Sequence, residues 1–372
     1  MKKHSIIKLL TSTRLTVICL VLLIIVVIWG TVYQVENGLY QAQQKFFYSW
    51  FVFLFGFFPI PGTVLIFWVL FLNVFSSILF RIPFKFSNLG NILIHVGIMI
   101  FFIGSFFTYY YSQESVISLK EEQEKNFSVS SLDWELAIWH DQKEKKVVYA
   151  VDTNRLASDD RIKFDQLDME IQVHQYYKNC IAYVKTKNMD KVDIINSSGI
   201  QQLEPKTEKR EHSKNMAGMV FSILPFDKNS KQVLLYGADK NSTPILRGGK
   251  NYYFSLRKKR FILPFSLRLI DFKRTFHPGS NIVRSYDSKV EVRIKELVRE
   301  VIISMNKPLR YKNFTLYQSS YFIADDGTEY TFLAVVKNFG KLFPYISSII
   351  IFMGLCIHFL LRLIKKKKNL RE

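Results

Sequence analysis

The sequence predicts a membrane α-helical protein with four transmembrane helices and a large extracytoplasmic, mainly-β domain that forms a sandwich or an open barrel. Four long apolar segments occur in a chain of 372 residues that is 49% hydrophobic. Many of the Lys and Arg residues that give the formal net charge of +20 lie beside those segments. The long stretch between the third and fourth segments alternates apolar and polar residues, as β-strands do.

The four apolar segments are long enough to cross a bilayer. A helix rises about 1.5 Å per residue, so about 20 apolar residues span the roughly 30 Å of hydrocarbon. The first segment follows a basic start, as in a signal peptide, but Trp29-Gly30-Thr31 stands where a small-residue cleavage site would lie. We therefore expect a retained helix. The predicted helices are residues 15–32, 63–80, 89–107 and 343–364.

A short aromatic segment, residues 46–58, lies between the first two helices. At about 13 residues it is too short to cross the membrane by itself. Tyr48, Trp50 and several Phe favour the headgroup boundary, so we predict an interfacial element. A re-entrant segment or a bent extension of the second helix is the alternative.

The basic flanks predict the orientation of the helices. Lys and Arg are concentrated in the N-terminus, in the loop 81–87 and after Arg362, and such flanks stay in the cytoplasm. Because a notable share of the basic residues lies at these flanks and is not spread over a soluble face, no nucleic-acid binding is expected. The predicted parts are a cytoplasmic N-terminus (1–14), three transmembrane helices (15–107), an extracytoplasmic β-rich domain (108–341), a fourth transmembrane helix (342–364) and a basic cytoplasmic tail (365–372).

The extracytoplasmic domain is predicted to be built from antiparallel strands. Runs of alternating, β-branched or aromatic residues are separated by turn residues, as at Pro278-Gly279. Residues 196–214 are polar and are predicted to form a loop. The predicted strands are residues 146–151, 169–174, 182–185, 252–256, 267–272, 289–294, 301–305 and 315–321.

Two features of this domain bear on binding. The basic run Arg257-Lys258-Lys259-Arg260 is either a positive face that guides an anionic ligand or a charged edge strand that resists aggregation. Cys180 is well separated from Cys19 and Cys356, and no Cys-x-x-Cys pair exists, so neither a redox dithiol nor a local zinc ribbon is expected.

His95 is the most informative residue for function. It lies in the third predicted helix, roughly 9 Å from the cytoplasmic end, where an imidazole has lost water and needs a partner. A neutral imidazole can be an axial ligand of haem iron, and Gly97 and Gly104 would allow a flat ring or another helix to approach closely. A structural histidine that hydrogen-bonds to a neighbouring helix is the alternative.

His358, in the fourth helix, is a second candidate ligand. The fourth helix runs inward and the third runs outward, so both histidines are expected near the cytoplasmic leaflet, and bis-histidine ligation is conceivable. A histidine so near a helix end can also reach the interface. The domain's own histidines lack metal-binding spacing, and no hydrolase or kinase motif is present. These histidines are His140, His174, His212 and His277.

Several stretches resemble the ResB/CcsB family, which some bacteria fuse to its partner as CcsBA. Their order along the chain carries the resemblance more than any single motif does. In the membrane part they are Thr13-Arg-Leu-Thr-Val17, Trp29 to Gln34, Phe47 to Phe51, Leu72-Asn73, Arg81-Ile-Pro83, Leu89-Gly90 and His95-Val-Gly97. In the outer part they are Leu263 to Phe272, His277 to Ser280, Tyr286-Asp-Ser288, Ile303 to Tyr311 and Tyr317 to Tyr321.

Two departures from the family pattern limit what the resemblance implies. The family often has Asp-Pro-Gly before the last helix, where this chain has Val336 to Gly340. The tryptophan-rich haem-handling segment of the partner half is absent. The resemblance therefore implies the ResB/CcsB half alone, which is non-catalytic by itself and a subunit of a system II cytochrome c haem lyase (holocytochrome c synthase) complex. The outer motifs are interpreted as turns and strands rather than as catalytic groups.

The resemblance implies that His95 matches a transmembrane histidine that helps hold haem b, transported or transiently bound, as it crosses the membrane. A CcsA/ResC-type haem-handling protein would supply the second axial ligand, and apocytochrome c would receive the haem. A thioredoxin-like thiol reductase and membrane lipid are further expected partners. The implied location is the bacterial cytoplasmic (inner) membrane, with the domain on the periplasmic or outer face. Two alternatives stay open, a haem-free envelope assembly scaffold and a haem b electron-transfer subunit.

Overall fold

The computed structural model describes residues 2–54, 56–141, 146–184, 194–224 and 232–369. Phe55 of the aromatic segment, Lys185 of a predicted strand and tail residues 370–372 lie outside the described residues. The chain divides into two compact units. The membrane unit comprises residues 1–113, 311–314 and 336–372, and the β unit comprises residues 114–310 and 315–335.

The membrane unit contains the long helices. Among the described residues, four helical stretches are long and apolar enough to cross a membrane: Thr13–Asn37, Thr63–Arg81, Phe86–Tyr111 and Phe343–Lys367. They include the four predicted segments, so this prediction is confirmed. The α-helices are α1 (Lys2–Leu10), α2 (Thr13–Asn37), α3 (Leu39–Ala42), α4 (Thr63–Ser76), α5 (Leu89–Tyr111) and α6 (Phe343–Asn369), with π-helical turns at Gln43–Phe47 and Ser77–Arg81 and a 3₁₀ turn at Phe86–Asn88.

The aromatic segment differs from the helical alternative considered for it. After the first π-helical turn the chain forms a hairpin of β1 (Phe51–Leu54) and β2 (Phe58–Pro61). Pro59 and Pro61 disfavour a helix here, and Gly56 takes a positive φ of 83° in the turn. Its predicted place at the membrane interface stays a prediction.

A buried amide joins α4 to the turn between α1 and α2. Asn73 is 3% exposed, and its Nδ2 donates to the carbonyl oxygens of Leu10 at 2.6 Å and Ser12 at 3.1 Å. Its Oδ1 accepts from Thr16 Oγ1 at 2.8 Å. Since every strong hydrogen-bonding group of the amide has a partner, Asn73 fixes this turn against α4 without an unpaired polar atom.

Small residues bring α5 and α6 into close antiparallel contact. Gly90, Gly97 and Gly104 recur every seven residues and lie on one side of α5. A methyl group on Gly97 would lie 2.6 Å from Ile351 Cγ1, and one on Gly354 would lie 2.8 Å from the Ile94 nitrogen. We call this contact the glycine seam. Only residues without a large side chain allow two helix backbones to approach so closely.

The β unit contains two main sheets and a two-stranded one. The largest has the order β16-β15-β14-β4-β3-β19-β18-β17, with β13 beside β14 and β5 beside β4, the second has the order β6-β7-β11-β12-β9, and β8 pairs with β10. The strands are β3 (Gln113–Lys120), β4 (Glu124–Asp141), β5 (Lys146–Asp152), β6 (Arg161–Phe164), β7 (Met169–Tyr177), β8 (Cys180–Val184), β9 (Ile194–Ile195), β10 (Ile200–Pro205), β11 (Gly218–Leu224), β12 (Gln232–Tyr236), β13 (Thr243–Arg247), β14 (Lys250–Phe276), β15 (Val283–Ile294), β16 (Leu297–Ser304), β17 (Leu309–Tyr311), β18 (Phe314–Ile323) and β19 (Glu329–Lys337).

The main core of the β unit lies between the two larger sheets. Leu136 of β4 and Phe254 of β14 join one buried cluster with Ile171 of β7 and Phe221 of β11. Sheets that pack face to face in this way form a sandwich. Among the described strands no sheet closes on itself. The predicted large β-rich region is therefore confirmed.

One prediction for this unit was wrong. The predicted loop 196–214 contains β10, which pairs antiparallel with β8. Ile200 and Leu203 of β10 are buried with Cys180. A register shift between Ile200 and Gln202 lets two residues three positions apart reach the same side. The strand therefore lacks the simple alternation by which strands are recognised in a sequence.

Candidate functional site

The His95 ring is held by its own helix. It is half-buried, and Nδ1 lies 2.9 Å from the carbonyl oxygen of Asn91, one turn earlier in α5. A carbonyl oxygen can only accept, so this contact places a proton on Nδ1, and in the neutral tautomer with that proton Nε2 has the lone pair. Histidines that ligate metals commonly donate one ring N–H to a backbone carbonyl and bind with the other nitrogen. The His95 geometry therefore fits an axial ligand of haem iron.

The face of α5 that carries His95 is directed toward α4. Ile98, Phe102 and Phe106 follow His95 by three, seven and eleven residues and so share its face. The Phe102 ring lies 5.7 Å from the Phe67 ring, and the Phe106 ring stacks on Trp68 at 4.5 Å. His95 therefore lies on the aromatic side of α5, away from the glycine seam.

The structure does not bring His358 to this face. A methyl group on Gly90 would lie 2.6 Å from His358 Cα, so the His358 backbone packs on the first turn of α5. Gly90 precedes His95 by five residues, which is about 7.5 Å along the helix axis. The two histidines are thus associated with different sides and levels of α5. Bis-histidine ligation within the chain stays a prediction, without a shared face to support it.

A π-helical turn faces the level of His95. The ring pairs Phe71–Phe102 and Trp68–Phe106 show that α4 and α5 run antiparallel. Continued along both helices, this register places His95 level with the π-helical turn Ser77–Arg81 that ends α4. Ser76 and Ser77 are buried there, although they are polar. Single π-helical turns often occur at functional sites, and nothing in the sequence marked this one.

The β unit provides no metal cluster among its described residues. No group of three or more His, Cys, Asp or Glu in the described ranges could hold a metal ion. Two of the histidines considered above have polar partners: His174 Nε2 lies 2.8 Å from Ser222 Oγ, and His212 Nδ1 lies 3.3 Å from a Glu208 carboxylate oxygen. These contacts are structural ones.

Cys180 is a buried thiol. It is 2% exposed, and its Sγ lies 3.5 Å from the carbonyl oxygen of Met216. Burial raises the pKa of the Cys180 thiol to about 11, because the charged thiolate loses hydration. The thiolate is the nucleophile, so Cys180 has little reactivity near neutral pH.

The basic run in β14 is paired largely within the β unit. Arg257 Nε donates to Glu135 at 2.8 Å, and Lys259 Nζ donates to Asp152 at 2.6 Å. Lys258 Nζ donates to the Ser131 carbonyl oxygen at 2.9 Å and lies 4.3 Å from the centre of the Trp134 ring. Much of this charge is therefore neutralised or engaged internally, which weakens the interpretation of an anion-guiding face.

Residues of two outer motifs form a buried polar network in the large sheet. Ser288 Oγ donates to Gln318 Oε1 at 2.7 Å and lies 2.8 Å from Thr331 Oγ1. Gln318 Nε2 donates to Thr331 Oγ1 at 2.9 Å. All three side chains are buried. Satisfied networks of this kind specify strand register, so these motif residues have a structural role.

The four long apolar helices and the large β-rich region define a membrane-associated protein of mixed architecture. A model of the ResB-like family matches residues 231–332. This match confirms the resemblance to the ResB/CcsB family, which is linked to cytochrome c biogenesis. It covers the outer motifs from Leu263 to Tyr321 but not α5 and His95. A comparison with curated proteins gives no match.

Proposed function

We propose that this chain is the ResB/CcsB component of a system II cytochrome c synthase. In this function it helps to bind haem b and move it across the membrane. Together with a CcsA/ResC-type partner it presents the haem for covalent attachment to apocytochrome c. The observation that carries the proposal is the His95 imidazole in an apolar helix, with Nδ1 bonded to the Asn91 carbonyl and Nε2 left as the ligating nitrogen.

The residues around His95 would each contribute to holding the group. Nε2 would be the atom that holds the iron, and the hydrogen bond at Nδ1 would keep the ring in one tautomer and orientation. Ile98 and Phe102, on the same face, belong to the apolar core that α5 shares with α2 and α4, so a porphyrin held by His95 would adjoin an apolar region. When bound, haem supplies the vinyl groups to which the two thiols of a Cys-x-x-Cys-His site add as thioethers.

The second axial ligand is proposed to come from the partner chain. His358 lies beside Gly90 on the other side of α5, so it does not share a face with His95. A ligand from a CcsA/ResC-type protein would make haem binding depend on assembly of the complex.

The proposal is tested by removing the His95 imidazole through mutation and then supplying free imidazole in solution. The full chain is co-expressed with a CcsA-type partner and a reporter apocytochrome, as the native protein and as His95→Gly, with and without imidazole. We expect His95→Gly to lose haem from the purified complex and to lose matured cytochrome, and imidazole to restore both. His358→Gly is the matched control and is expected to retain most of the haem.

The result that would overturn the proposal is equally direct. A His95→Gly complex that keeps its full haem content and maturation yield would leave only the role of a haem-free assembly scaffold. A complex that shows reversible haem reduction but forms no covalent cytochrome product would favour the electron-transfer alternative.

A further inference from the structure

The short helix α1 is separated from the membrane-spanning helix α2 by a fixed turn. Ser12 has an extended backbone, with φ −76° and ψ 129°, and it caps α2. Asn73 of α4 donates to the carbonyl oxygens of Leu10 and Ser12. Arg81 Nη1 donates to the Thr11 carbonyl oxygen at 3.0 Å. The chain therefore turns at a defined point, and α1 is not a straight continuation of α2.

One side of α1 exposes large apolar side chains. Ile6 is 58% exposed and Leu9 is 63% exposed, and residues three positions apart share a helix face. Ile7 and Leu10 are half-buried, so another part of the helix surface packs within the membrane unit. The side with Ile6 and Leu9 is therefore left uncovered by the described residues.

The place of α1 in the chain limits what can cover this side. Leu9 precedes Thr13, the first residue of α2, by four residues. The apolar run of α2, residues 15–32, rises about 27 Å as a helix, close to the roughly 30 Å of bilayer hydrocarbon. The first turn of α2 therefore lies at a headgroup layer, and α1 joins the chain at that level.

Three cations surround the turn between α1 and α2. Lys8 and Arg14 lie three residues before and after Thr11, whose carbonyl oxygen accepts from Arg81. All three basic residues are exposed, and we call them the cation cluster. Glu36, the only acidic residue among the first 113, is about 33 Å from Arg14 along the helix axis. This part of the chain therefore provides the cation cluster with no carboxylate, and the cluster suits an anionic surface.

We propose that α1 lies in the plane of the membrane surface and that the cation cluster binds the headgroups of anionic phospholipids. Ile6 and Leu9 insert at the boundary between headgroups and acyl chains, and the three cations contact lipid phosphates. Amphipathic helices with basic polar faces bind anionic membranes in this way. A free phosphate ion offers the same charge but leaves the apolar side of α1 uncovered, so the lipid surface is the better occupant.

The first test measures the depth of α1 in the bilayer. Leu9→Cys and Lys8→Cys, neighbours on different sides of α1, are made in the full chain on a Cys356→Ala background and labelled with a fluorophore. Cys19 and Cys180 are buried. In nanodiscs of brominated phosphatidylcholine, we expect strong quenching at Leu9→Cys and weak quenching at Lys8→Cys. Weak quenching at both would place α1 in water, and crosslinking of Leu9→Cys between chains would assign this side to a second copy. Either result would overturn the proposal.

The second test measures selectivity for anionic lipid. The detergent-solubilised full chain is titrated with phosphatidylglycerol or with phosphatidylcholine, and bound lipid is counted by native mass spectrometry. We expect phosphatidylglycerol to bind more tightly, and Lys8→Gln and Arg14→Gln each to weaken it about fivefold without changing phosphatidylcholine binding. Lys8→Arg keeps the charge and should bind as the native chain does. Displacement of the lipid by inorganic phosphate would assign the cluster to a soluble anion and overturn the proposal.

Arg362→Gln is the matched control for these variants. It removes one positive charge beside a membrane helix, in α6, outside the cation cluster. It is expected to keep the native affinity for the most tightly bound phosphatidylglycerol. An equal loss in Arg362→Gln would show a response to total charge alone, and unchanged affinity in both cluster variants would exclude the cluster as the binding site. Both results would overturn the proposal. His95→Gly should lose haem but keep phosphatidylglycerol affinity, so this proposal and the haem proposal can fail separately.

Discussion

Burial changes the charge state of Lys258 in the β unit. Its ammonium lies over the Trp134 ring and donates to the Ser131 carbonyl, with no carboxylate among these contacts. Loss of hydration lowers the pKa of Lys258 to about 8, from 10.5. Near neutral pH the side chain is therefore charged at some cost in stability, which the ring and the carbonyl partly offset.

The stability of the β unit should depend on pH through Lys258. In the unfolded chain the lysine keeps a pKa near 10.5, so between about pH 8 and 10.5 the unfolded state binds more protons. The contribution of Lys258 to the free energy of unfolding is therefore least favourable below pH 8 and rises as the pH goes from 8 to 10.5. In Lys258→Met that rise should be absent, a difference on the order of 1 kcal/mol across the window.

Urea unfolding of the full chain at pH 7, 8, 9 and 10 measures this difference. Lys250→Met, at an exposed position of the same strand, is the control and should follow the native pH profile. Parallel profiles for the native chain and Lys258→Met would contradict the prediction.

A property of a single residue can be predicted from the sequence when it depends on neighbouring residues in the chain, and not when it depends on contacts formed by folding. His95 was recognisable because an ionisable side chain in an apolar run is conspicuous. Its tautomer follows from the Asn91 carbonyl, which only the helix geometry reveals. Lys258 stands among four basic residues and looks solvated, and its burial depends on Trp134 in the neighbouring strand.

The glycine seam is the main contact of α6 with α5. Gly90, Gly97 and Gly104 meet His358, Ile351 and Phe343 in turn. Lipid is as apolar as the helices, so their association depends on close packing rather than on the hydrophobic effect. A substitution that prevents the close approach at one of these glycines should therefore weaken the association of α5 with α6.

Gly90→Ala should loosen this pair of helices. The added methyl group would lie 2.6 Å from His358 Cα, and backbone cannot move aside as a flexible side chain can. We expect a loss of about 1–3 kcal/mol in the stability of the membrane unit, measured by unfolding in mixed detergent. Ile103→Ala, on the exposed side of α5, is the control. A smaller loss for Gly90→Ala than for Ile103→Ala would show that the seam is not close-packed.

The polar network in the large sheet should stabilise the β unit. Gln318→Leu keeps most of the side-chain volume but leaves the Ser288 and Thr331 hydroxyls with one partner fewer. We expect a loss of about 1–3 kcal/mol in the free energy of unfolding, measured by urea titration. Ser319→Ala, at the exposed next position, should change stability little. Equal effects would mean that the network adds nothing to stability.

The regular elements were the predictable ones. The four long helices follow from segment length and composition alone. The hairpin of the aromatic segment, the π-helical turn at Ser77–Arg81 and strand β10 were not predicted, because each departs from a simple period. In β10 the cause is the register shift after Ile200, and in the hairpin it is the two prolines.

At the scale of the whole molecule, the orientation of the helices is the main open prediction. Basic residues beside the helices predict that residues 81–87 lie in the cytoplasm and that the β unit lies outside. On a Cys356→Ala background, an impermeant maleimide should label Ser280→Cys in intact cells but label Ser87→Cys only after the membrane is opened. Both positions are exposed in the folded chain, so a cysteine that is not labelled in intact cells is shielded by the membrane and not by the fold. The reverse pattern would invert the topology.

The division of the membrane unit along the chain also sets an order of synthesis. α5 leaves the ribosome early, but its partner α6 follows only after residues 112–342 have been made. At about 5–20 residues per second, that delay is on the order of ten seconds or more. During this interval Gly90, Gly97 and Gly104 of α5 contact lipid or another protein instead of α6. The bundle that carries His95 is therefore completed last, when the intervening polypeptide has already been translated.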